Sequence, residues 1–523
     1  MPGRTSHGTV SYIPAVGPPF PPFSSLMYIA GQLDLVNRGN AIECCSTRIV
    51  CFTLAERPIL PLIELSSAPT GLLFHGDILV KMNPMLLKST IVGALGGLLF
   101  GFDTAVIAGA EEALKSLYHL SPSQLGFTVA IALVGTIIGA ITAGPLGQQI
   151  GGRNALRIMA VLYVISALGC AFASKSWWPS LLMARFIGGL GIGGSSVLGP
   201  VYLAELAPAK WRGRLVGMFQ INIVVGILLA YFSNFLIAQF NLGAIEWRVQ
   251  LGIAAVPAFL FLVMLFGIPR SSRWLVTQDR IDEAREVLKM MGTPDTEAEL
   301  REIIDSIRHD SASHSEPLFT SKYRLPIFLA ITIGMFNQLA GINAILYYSN
   351  FIFSAAGFSK ASGNVQSVII GAMNLAATLL AMTVIDKLGR KTLLLIGSVG
   401  TAISLAGVAA IFFLQEHQAF LVWLLVSYIF FFAISQGAVI WVYISEVFPT
   451  RVRSKGQSLG SSSHWITNAI IAWTFPILAR HSGGTPFLVF AVMMVVQFFV
   501  VFFFYPETKG VTLEQLQHKL GIQ

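Results

Sequence analysis

The sequence predicts an all-α membrane protein with twelve transmembrane helices, in two six-helix halves joined by an intracellular helical linker. Hydrophobic residues make up 54% of the 523-residue chain and charged residues only 11%, against about 25% charged residues in soluble domains. Twelve apolar segments long enough to span a bilayer follow residue 84. A polar stretch, 270–325, divides them six and six.

The predicted organisation follows from these segments. The spans cover 87–111, 124–147, 155–174, 180–202, 214–237, 248–269, 326–353, 365–385, 392–414, 419–445, 457–480 and 485–505. Within the polar stretch, IDEAREVLKMMG and TEAELREIIDSIRHD have helical periodicity. The predicted parts are an N-terminal extension 1–84, a first half 85–269, a linker 270–325, a second half 326–508 and a cytoplasmic tail 509–523.

The positive charges predict the orientation. The short loops that would be cytoplasmic hold eleven Lys and Arg residues, and those on the other side hold five. Cytoplasmic loops of membrane proteins carry this excess. The protein is therefore predicted to span the cell (inner) membrane several times, with both termini in the cytoplasm. The net charge of +8 therefore indicates membrane topology rather than nucleic-acid binding.

The N-terminal extension differs from the rest of the chain. It contains the Pro-rich run IPAVGPPFPPF and no uninterrupted spanning segment. It also lacks the charged, apolar and small-residue pattern of a signal peptide. Two hypotheses stay open: a disordered tail, or a true translation start at Met82 or Met85. The four cysteines, three of them in this extension, form neither a disulfide framework nor a metal-ligand spacing.

An internal repeat links the two halves. AELAPAKWRG and SEVFPTRVRS both read Glu, two residues, Pro, three residues, Arg, and each follows the fourth span of its half. The loops GPLGQQIGGR and TVIDKLGRK also correspond. A chance match at two membrane edges is the alternative, but a carboxylate and an arginine there can bias a conformational equilibrium. The predicted cytoplasmic gate comprises Glu205, Arg212, Asp386, Arg390, Glu446 and Arg453.

Taken together, the motifs resemble the sugar porter family of the major facilitator superfamily. They are GGLLFGFDTAVIAG, RFIGGLGIGG, AELAPAKWRGRL, FNQLAGINAILYYS, DKLGRK, SEVFPTRVRS and PETKG, within residues 87–515. The resemblance, to bacterial sugar–proton symporters and to glucose facilitators, implies the major facilitator fold. Its two parallel repeats place a substrate site at the bilayer midplane between the halves.

Polar side chains in the seventh span predict a sugar site. Asn337, Gln338, Asn343 and Tyr347 lie in this span, and Gly341 between them can allow local unwinding. Sugar hydroxyls both donate and accept hydrogen bonds, as these amide and phenol groups do. Hydrogen bonding between helices is the alternative explanation. The resemblance completes the site with Phe100, Gln220, Asn374, Phe432, Trp441, His464 and Trp465.

Several positions depart from the family pattern. Asn337 stands where Gln is common, Ile227 where a xylose-type symporter has Gln, and His464 where Gln or Asn is usual. The usual proline after Gly437 is missing. These changes leave hexose, pentose and polyol open as substrates. Near the gate, Gln148–Gln149 replaces an Asp-Arg pair and Arg270 replaces an acid, which predicts a weakened or differently paired gate in the first half.

Asp103 is an acid within an apolar span. Its insertion alone costs about 2.5–3.5 kcal/mol. Arg185, the only arginine well inside span four, is its predicted partner. A structural pair, sugar binding by Asp103 and proton coupling are three hypotheses. Burial disfavours an ionised Asp while a nearby Arg favours it, so moving the two apart would drive proton uptake. The resemblance favours proton coupling, because the symporters have Asp here and the facilitators Asn.

The sequence thus predicts a proton-coupled monosaccharide symporter that works by alternating access. The alternatives are a passive sugar or polyol facilitator and a transporter-like sugar sensor. We find no nucleophile–base constellation, metal-ligand cluster or phosphate loop, so an enzyme is not expected. No cofactor is predicted, since a proton gradient is the energy source. The expected partners are the sugar, the proton and the lipid bilayer, with the protein as a monomer and without nucleic acid.

Overall fold

The computed structural model describes residues 83–207, 212–312, 316–449, 451–511 and 513–522. These residues are almost wholly helical and contain no β-strand. The hypotheses about the N-terminal extension concern residues that lie outside this described part, except for its last two positions.

Twelve helical segments have the length of a membrane span. Eleven of them are also apolar enough to cross a membrane. These are α1 (Pro84–Gly109), α2 (Pro122–Ile150), α3 (Gly152–Ala171), α4 (Trp178–Leu206), α5 (Arg212–Gln239), α6 (Gly243–Gly267), α7 (Ser321–Tyr347), α8 (Lys360–Leu388), α9 (Arg390–Leu414), α10 (Gln418–Val447) and α12 (Thr485–Phe504). The remaining helix, α11 (Arg453–His481), has 29 residues and is more polar.

Polar caps fix where several spans begin. The Ser121 side chain accepts a hydrogen bond from the Gln124 N–H, and the Gln124 side chain accepts one from the Ser121 N–H, which is a capping box at the start of α2. Asn83 caps α1, whose first residue is Pro84. Ser359 caps α8 in the same way. These caps satisfy N–H groups that have no partner within the helix.

α7 is interrupted at the predicted glycine. Its main part, Arg324–Leu339, ends before Gly341, whose φ of +84° lies in the left-handed region that favours glycine. The chain then continues as the short helices Ile342–Tyr347 and Ser349–Ala355. At the interruption, the Tyr428 hydroxyl of α10 donates to the Ala340 carbonyl at 2.9 Å, so the surrounding protein supplies a partner for a backbone group there, as a membrane protein requires.

The polar stretch between the halves is helical, as predicted. It forms the helices Ser272–Thr277, Ile281–Met290 and Thr296–Ala312. Arg285 contacts Asp282 and Glu297 at 2.6 Å and so ties the last two helices together. We call the end of the bundle that carries these helices the linker side, and the opposite end the far side.

The two halves share one core on the far side only. The buried cluster there joins α1 and α6 residues such as Ile107 and Trp247 to second-half residues such as Phe353 and Phe412. On the linker side, each half has its own cluster. That of the first half includes linker residues such as Leu288, and that of the second includes C-terminal residues such as Leu516. The halves therefore share a buried core on the far side, whereas on the linker side each half has its own core.

Specific contacts close the far side. The Tyr231 hydroxyl of α5 donates to the Leu346 carbonyl of α7 at 2.7 Å. The Lys360 ammonium of α8 lies 2.8 Å from the Glu246 carboxylate of α6. Between α2 and α11, the Trp473 indole donates to the Ser123 hydroxyl at 3.2 Å. Each contact joins the first half to the second.

Candidate functional site

Asp103 and Arg185 form a buried ion pair between α1 and α4. The Arg185 Nη1 atom lies 3.1 Å from Oδ1 and 3.0 Å from Oδ2 of Asp103. Only 4% of the Arg185 side chain and 13% of the Asp103 side chain are exposed. Glycines along α4, such as Gly189 and Gly193, allow its backbone to approach α2. The predicted partners are thus in contact, with the opposite charges that a buried pair requires.

The pair lies beside the predicted sugar site. Phe100, Tyr347 and Trp465 line the same small pocket as Asp103 and Arg185. The pocket has a free volume of about 10 Å³, which is about the space of one water molecule. In this conformation, therefore, the space next to the ion pair is too small for a sugar ring.

A hydrogen-bonded cluster of polar side chains surrounds the interruption of α7. Gln338 is its centre. Its Nε2 donates to the Asn337 Oδ1 at 3.1 Å and lies 3.3 Å from the ring nitrogens of His464, and its Oε1 accepts from Asn343 at 3.0 Å. Gln338 is almost fully buried. The amides predicted from α7 thus contact each other and α11, and they present donors and acceptors from one region of the bundle.

Aromatic rings connect this cluster to the ion pair. The ring centroids of Phe100 and Trp465 are 5.5 Å apart, those of Trp465 and His464 are 4.9 Å apart, and those of His464 and Trp441 are 5.2 Å apart. Trp441 keeps 38% of its surface exposed, whereas Trp465 is buried. Phe432 packs on Tyr428 at 6.2 Å. Such an aromatic wall suits the apolar C–H face of a sugar.

Two predicted sugar-site residues stand apart from the cluster. Gln220 is half-buried on α5 and Asn374 is buried on α8. Among the described residues, neither amide is hydrogen-bonded to Gln338 or to its partners. Their place in the substrate site stays a prediction.

Two residues that sequence reasoning missed belong to the cluster. The Asn337 amide donates to the Gln436 carbonyl at 3.2 Å, and the Asn468 amide donates to the Tyr347 hydroxyl at 3.3 Å. The side-chain amide oxygens of Gln436 and Asn468 are buried and have no hydrogen-bond partner within the described part of the chain. Asn468 follows His464 by one helical turn, a spacing that places both on one face of α11. This spacing could have identified Asn468 as a site residue from the sequence.

The predicted gate residues of the second half form a connected group on the linker side. Arg390 lies 3.0 Å from the carboxylates of both Asp386 and Glu446. The Thr508 hydroxyl donates to Glu446 at 2.6 Å. Arg453 lies in the same motif as Glu446 but donates to the Phe448 carbonyl at 3.4 Å. The ion pairs therefore join helix ends within one half.

In the first half, the altered gate positions find other partners. Glu205 lies beside Ser271 and Arg273, while the side chain of Arg212 is outside the described part of the chain. The Trp274 indole donates to the Gln148 carbonyl at 2.8 Å, and the Arg270 guanidinium lies 5.4 Å from the Trp274 ring centre. Across the described residues of the linker side, no ion pair links one half to the other.

Two halves joined at one end, with a polar and aromatic cluster at their interface, form the arrangement of a membrane transporter. The model of the family described as "Sugar (and other) transporter" matches residues 89–520. The chain belongs to this family, the sugar porters of the major facilitator superfamily.

Similar proteins share most of the chain. The D-xylose-proton symporter of Escherichia coli is 35% identical over 464 residues, covering 82% of this chain and 94% of the relative. The arabinose-proton symporter of Bacillus subtilis is 34% identical over 452 residues, covering 85% and 96%. A solved inward-open conformation of the E. coli xylose transporter XylE matches with a TM-score of 0.75 at 35% identity, covering 83% of this chain and 99% of that one.

Proposed function

We propose that this protein carries a monosaccharide together with a proton across the cell membrane by alternating access. The observation that carries the proposal is the position of the buried Asp103–Arg185 pair, which lines one pocket with Tyr347 and Trp465. The proton symporters among the similar proteins support it. The proton gradient is the energy source, so the transport cycle requires no cofactor.

In the proposed mechanism, Asp103 binds and releases the coupled proton. While Arg185 is in contact, the carboxylate is neutralised by the guanidinium. When α1 and α4 shift relative to each other within the first half and the two side chains separate, a buried carboxylate without a cation is unfavourable and binds a proton instead. A sugar held by the Gln338 cluster and the aromatic wall would link this step to transport, because both lie at the same interface.

The proposed orientation places the linker side in the cytoplasm, with both termini inside. The excess of Lys and Arg in the short loops of that side supports it. The shared far-side core and the separate linker-side cores then correspond to a protein closed toward the outside. We place the protein in an inner membrane, as a monomer surrounded by lipid.

The test is uptake of labelled xylose, arabinose and glucose into proteoliposomes, with and without an inward proton gradient. Wild type should concentrate one of these sugars, whereas Asp103→Asn should exchange it without concentrating it. Asp305→Asn, an exposed carboxylate of the linker, is the matched control and should behave as wild type. Accumulation that persists in Asp103→Asn would exclude Asp103 as the coupling group. If wild type does not respond to the gradient, the protein is a facilitator.

A further inference from the structure

A second buried carboxylate lies on the far side, away from the Asp103–Arg185 pair. In the proposed orientation the far side is the outer side of the membrane. Glu111 begins the short helix Glu111–Leu117 that follows α1, and only 2% of the residue is exposed. Its Oε1 accepts the Phe351 N–H at 2.7 Å. Phe351 lies in the helix Ser349–Ala355 of the second half. This hydrogen bond therefore joins the two halves at the closed end.

The other carboxylate oxygen of Glu111 has no partner among the residues that the structure describes. Oε2 is buried and accepts no hydrogen bond from them. Two tyrosines lie within electrostatic range of the carboxyl group, but the Tyr231 hydroxyl donates to the Leu346 carbonyl and the Tyr348 hydroxyl donates to the Ala472 carbonyl. Lys115 acts on it only at a distance, with its ammonium 6.0 Å from the Phe351 ring centre.

These surroundings favour the neutral acid while the outer side is closed. Burial raises the pKa of Glu111 well above its ordinary value, and the nearby Glu112 raises it further, against the opposing effects of the Phe351 N–H and Lys115. An ionised carboxylate with one hydrogen bond and no contacting cation is costly to bury, whereas a protonated one costs less.

Opening the outer side would expose Glu111 to water. A pocket of about 390 Å³ lies at the outer end of the interface. Glu112 and Ser116 line it from the first half, and Asn350 and Lys360 line it from the second. Glu112 and Asn350 are the chain neighbours of the two hydrogen-bonded residues. When the halves separate there, the Phe351 N–H leaves the carboxyl group, and water replaces it.

We propose that Glu111 is an outer protonation latch, which takes up one proton from the external solution when the outer side closes and returns it to that solution when the side opens. On closing, Glu111 Oε2 gains the proton while Oε1 accepts the Phe351 N–H. On opening, the proton leaves to the same compartment. This proton is not transported, and it is additional to the one carried by Asp103. The inference rests on the proposed alternating-access function.

The experiment measures sugar exchange in right-side-out proteoliposomes of Asp103→Asn, with the internal pH held constant. Removing the Asp103 carboxylate isolates the second site. Exchange should become faster as external pH falls, by up to about tenfold per unit for a step that binds one proton. Asp103→Asn/Glu111→Gln should exchange at the fast rate at every external pH, because the amide is neutral and keeps an acceptor for Phe351. Asp103→Asn/Glu112→Gln, the matched control, should retain the dependence but displace it to lower external pH, because Glu112 no longer raises the pKa of Glu111.

Several results would overturn the latch. The first is an exchange rate of Asp103→Asn that does not change with external pH. The second is an unchanged pH dependence in Asp103→Asn/Glu111→Gln. The third is a loss of the pH dependence in Asp103→Asn/Glu112→Gln that equals the loss in Asp103→Asn/Glu111→Gln. The first of these leaves Glu111 intact, so it does not depend on folding of the Glu111→Gln variant. Glu111→Gln alone should keep the wild-type accumulation ratio, and a lower ratio would mean that Glu111 carries a transported proton. Failure of the proposed function would be detected by a different measurement, the accumulation of sugar by Asp103→Asn under a proton gradient, so the two failures can be told apart.

Discussion

Arg185 contacts both carboxylate oxygens of Asp103 through one nitrogen, Nη1. Its Nε is buried and has no hydrogen-bond partner among the described residues. A guanidinium that uses two nitrogens forms two parallel bonds and fixes the geometry of the carboxylate. The single-nitrogen contact lacks that constraint, and a small displacement between α1 and α4 would break it. This geometry suits a pair that must separate once in each transport cycle.

Removing the arginine should destabilise the protein. Arg185→Gln leaves Asp103 buried without its cation, which costs about 3–5 kcal/mol when one partner of a buried pair is removed. Asp103→Asn/Arg185→Gln should recover most of this loss because no charge stays buried. Thermal unfolding of the purified variants in detergent measures both effects. Equal melting temperatures for the single and double variants would contradict the pairing energy assigned here.

The Gln338 amide should control sugar affinity. Gln338→Ala removes the centre of the cluster and leaves Asn343 and His464 without their contacts, which costs about 1–3 kcal/mol for unsatisfied buried groups. If this whole loss falls on binding, the Kd for the transported sugar should rise by about 5- to 150-fold. Isothermal titration measures it. Asn154→Ala, an amide at the linker end of α3, should leave the Kd unchanged, and an equal effect in both variants would remove the cluster from the sugar site.

The interruption of α7 provides a test of backbone geometry. Gly341→Ala places a side chain at a φ of +84° and drives its Cβ into the Phe490 ring. Gly357→Ala also places a side chain in the left-handed region, at a φ of +87°, but the added Cβ meets no described atom within 4 Å. Both should lose about 1–2 kcal/mol from left-handed strain, and Gly341→Ala should lose about 1–3 kcal/mol more from overpacking. Thermal unfolding compares them, and similar losses would show that the Phe490 contact relaxes freely.

Glu507 predicts a pH-dependent contribution to stability. Its carboxylate accepts backbone N–H groups at 2.9–3.0 Å from Arg390 and Lys391, the first residues of α9, and at 3.0 Å from Thr508 and Lys509. Partial burial acts to raise the pKa of Glu507, but these four hydrogen bonds hold it below its ordinary value. Ionised Glu507 therefore stabilises the fold above the unfolded-state pKa of about 4.3. This stabilisation is lost as the pH falls through the lower folded-state pKa.

The corresponding variant is Glu507→Gln. At neutral pH it should be less stable than wild type by about 1 kcal/mol, a modest value because the group is partly solvated. The difference should shrink as the pH falls below about 4. Melting temperatures across this pH range measure it, with the exposed Glu286→Gln as control. A difference that does not change with pH would mean that the loss is not electrostatic.

Much of the fold is predictable because bilayer length and hydrophobicity constrain it. The apolar segments predicted the spans, and the helical period predicted the linker helices. The left-handed backbone conformation at Gly341 is a local property that glycine favours, so the interruption of α7 could also be predicted from the sequence. The separate linker-side cores could not be predicted from the sequence. The same sequence supports several arrangements of the two halves, and a hydropathy pattern does not report the relative free energies of these arrangements.

The candidate site was predictable where charge limits the choices. Asp103 and Arg185 are opposite charges within apolar spans, so each requires the other. Neutral amides offer no such constraint, and two contacts of predicted residues were missed: the Asn468 side chain donates to Tyr347, and the Gln436 backbone carbonyl accepts from Asn337. Likewise, the repeat placed Glu446 and Arg453 in one motif, but the spacing in a motif does not report that Arg390 of a neighbouring helix lies closer to Glu446.

The polar character of α11 affects how the chain enters the membrane during synthesis. A helix inserted alone must be apolar enough to leave the translocon, and each polar side chain at its centre opposes that transfer. His464 and Asn468 find their partners on α7, a helix made more than a hundred residues earlier. We therefore expect α11 to be retained beside the translocon until α7 receives it, and to insert poorly when it is expressed alone ahead of a reporter.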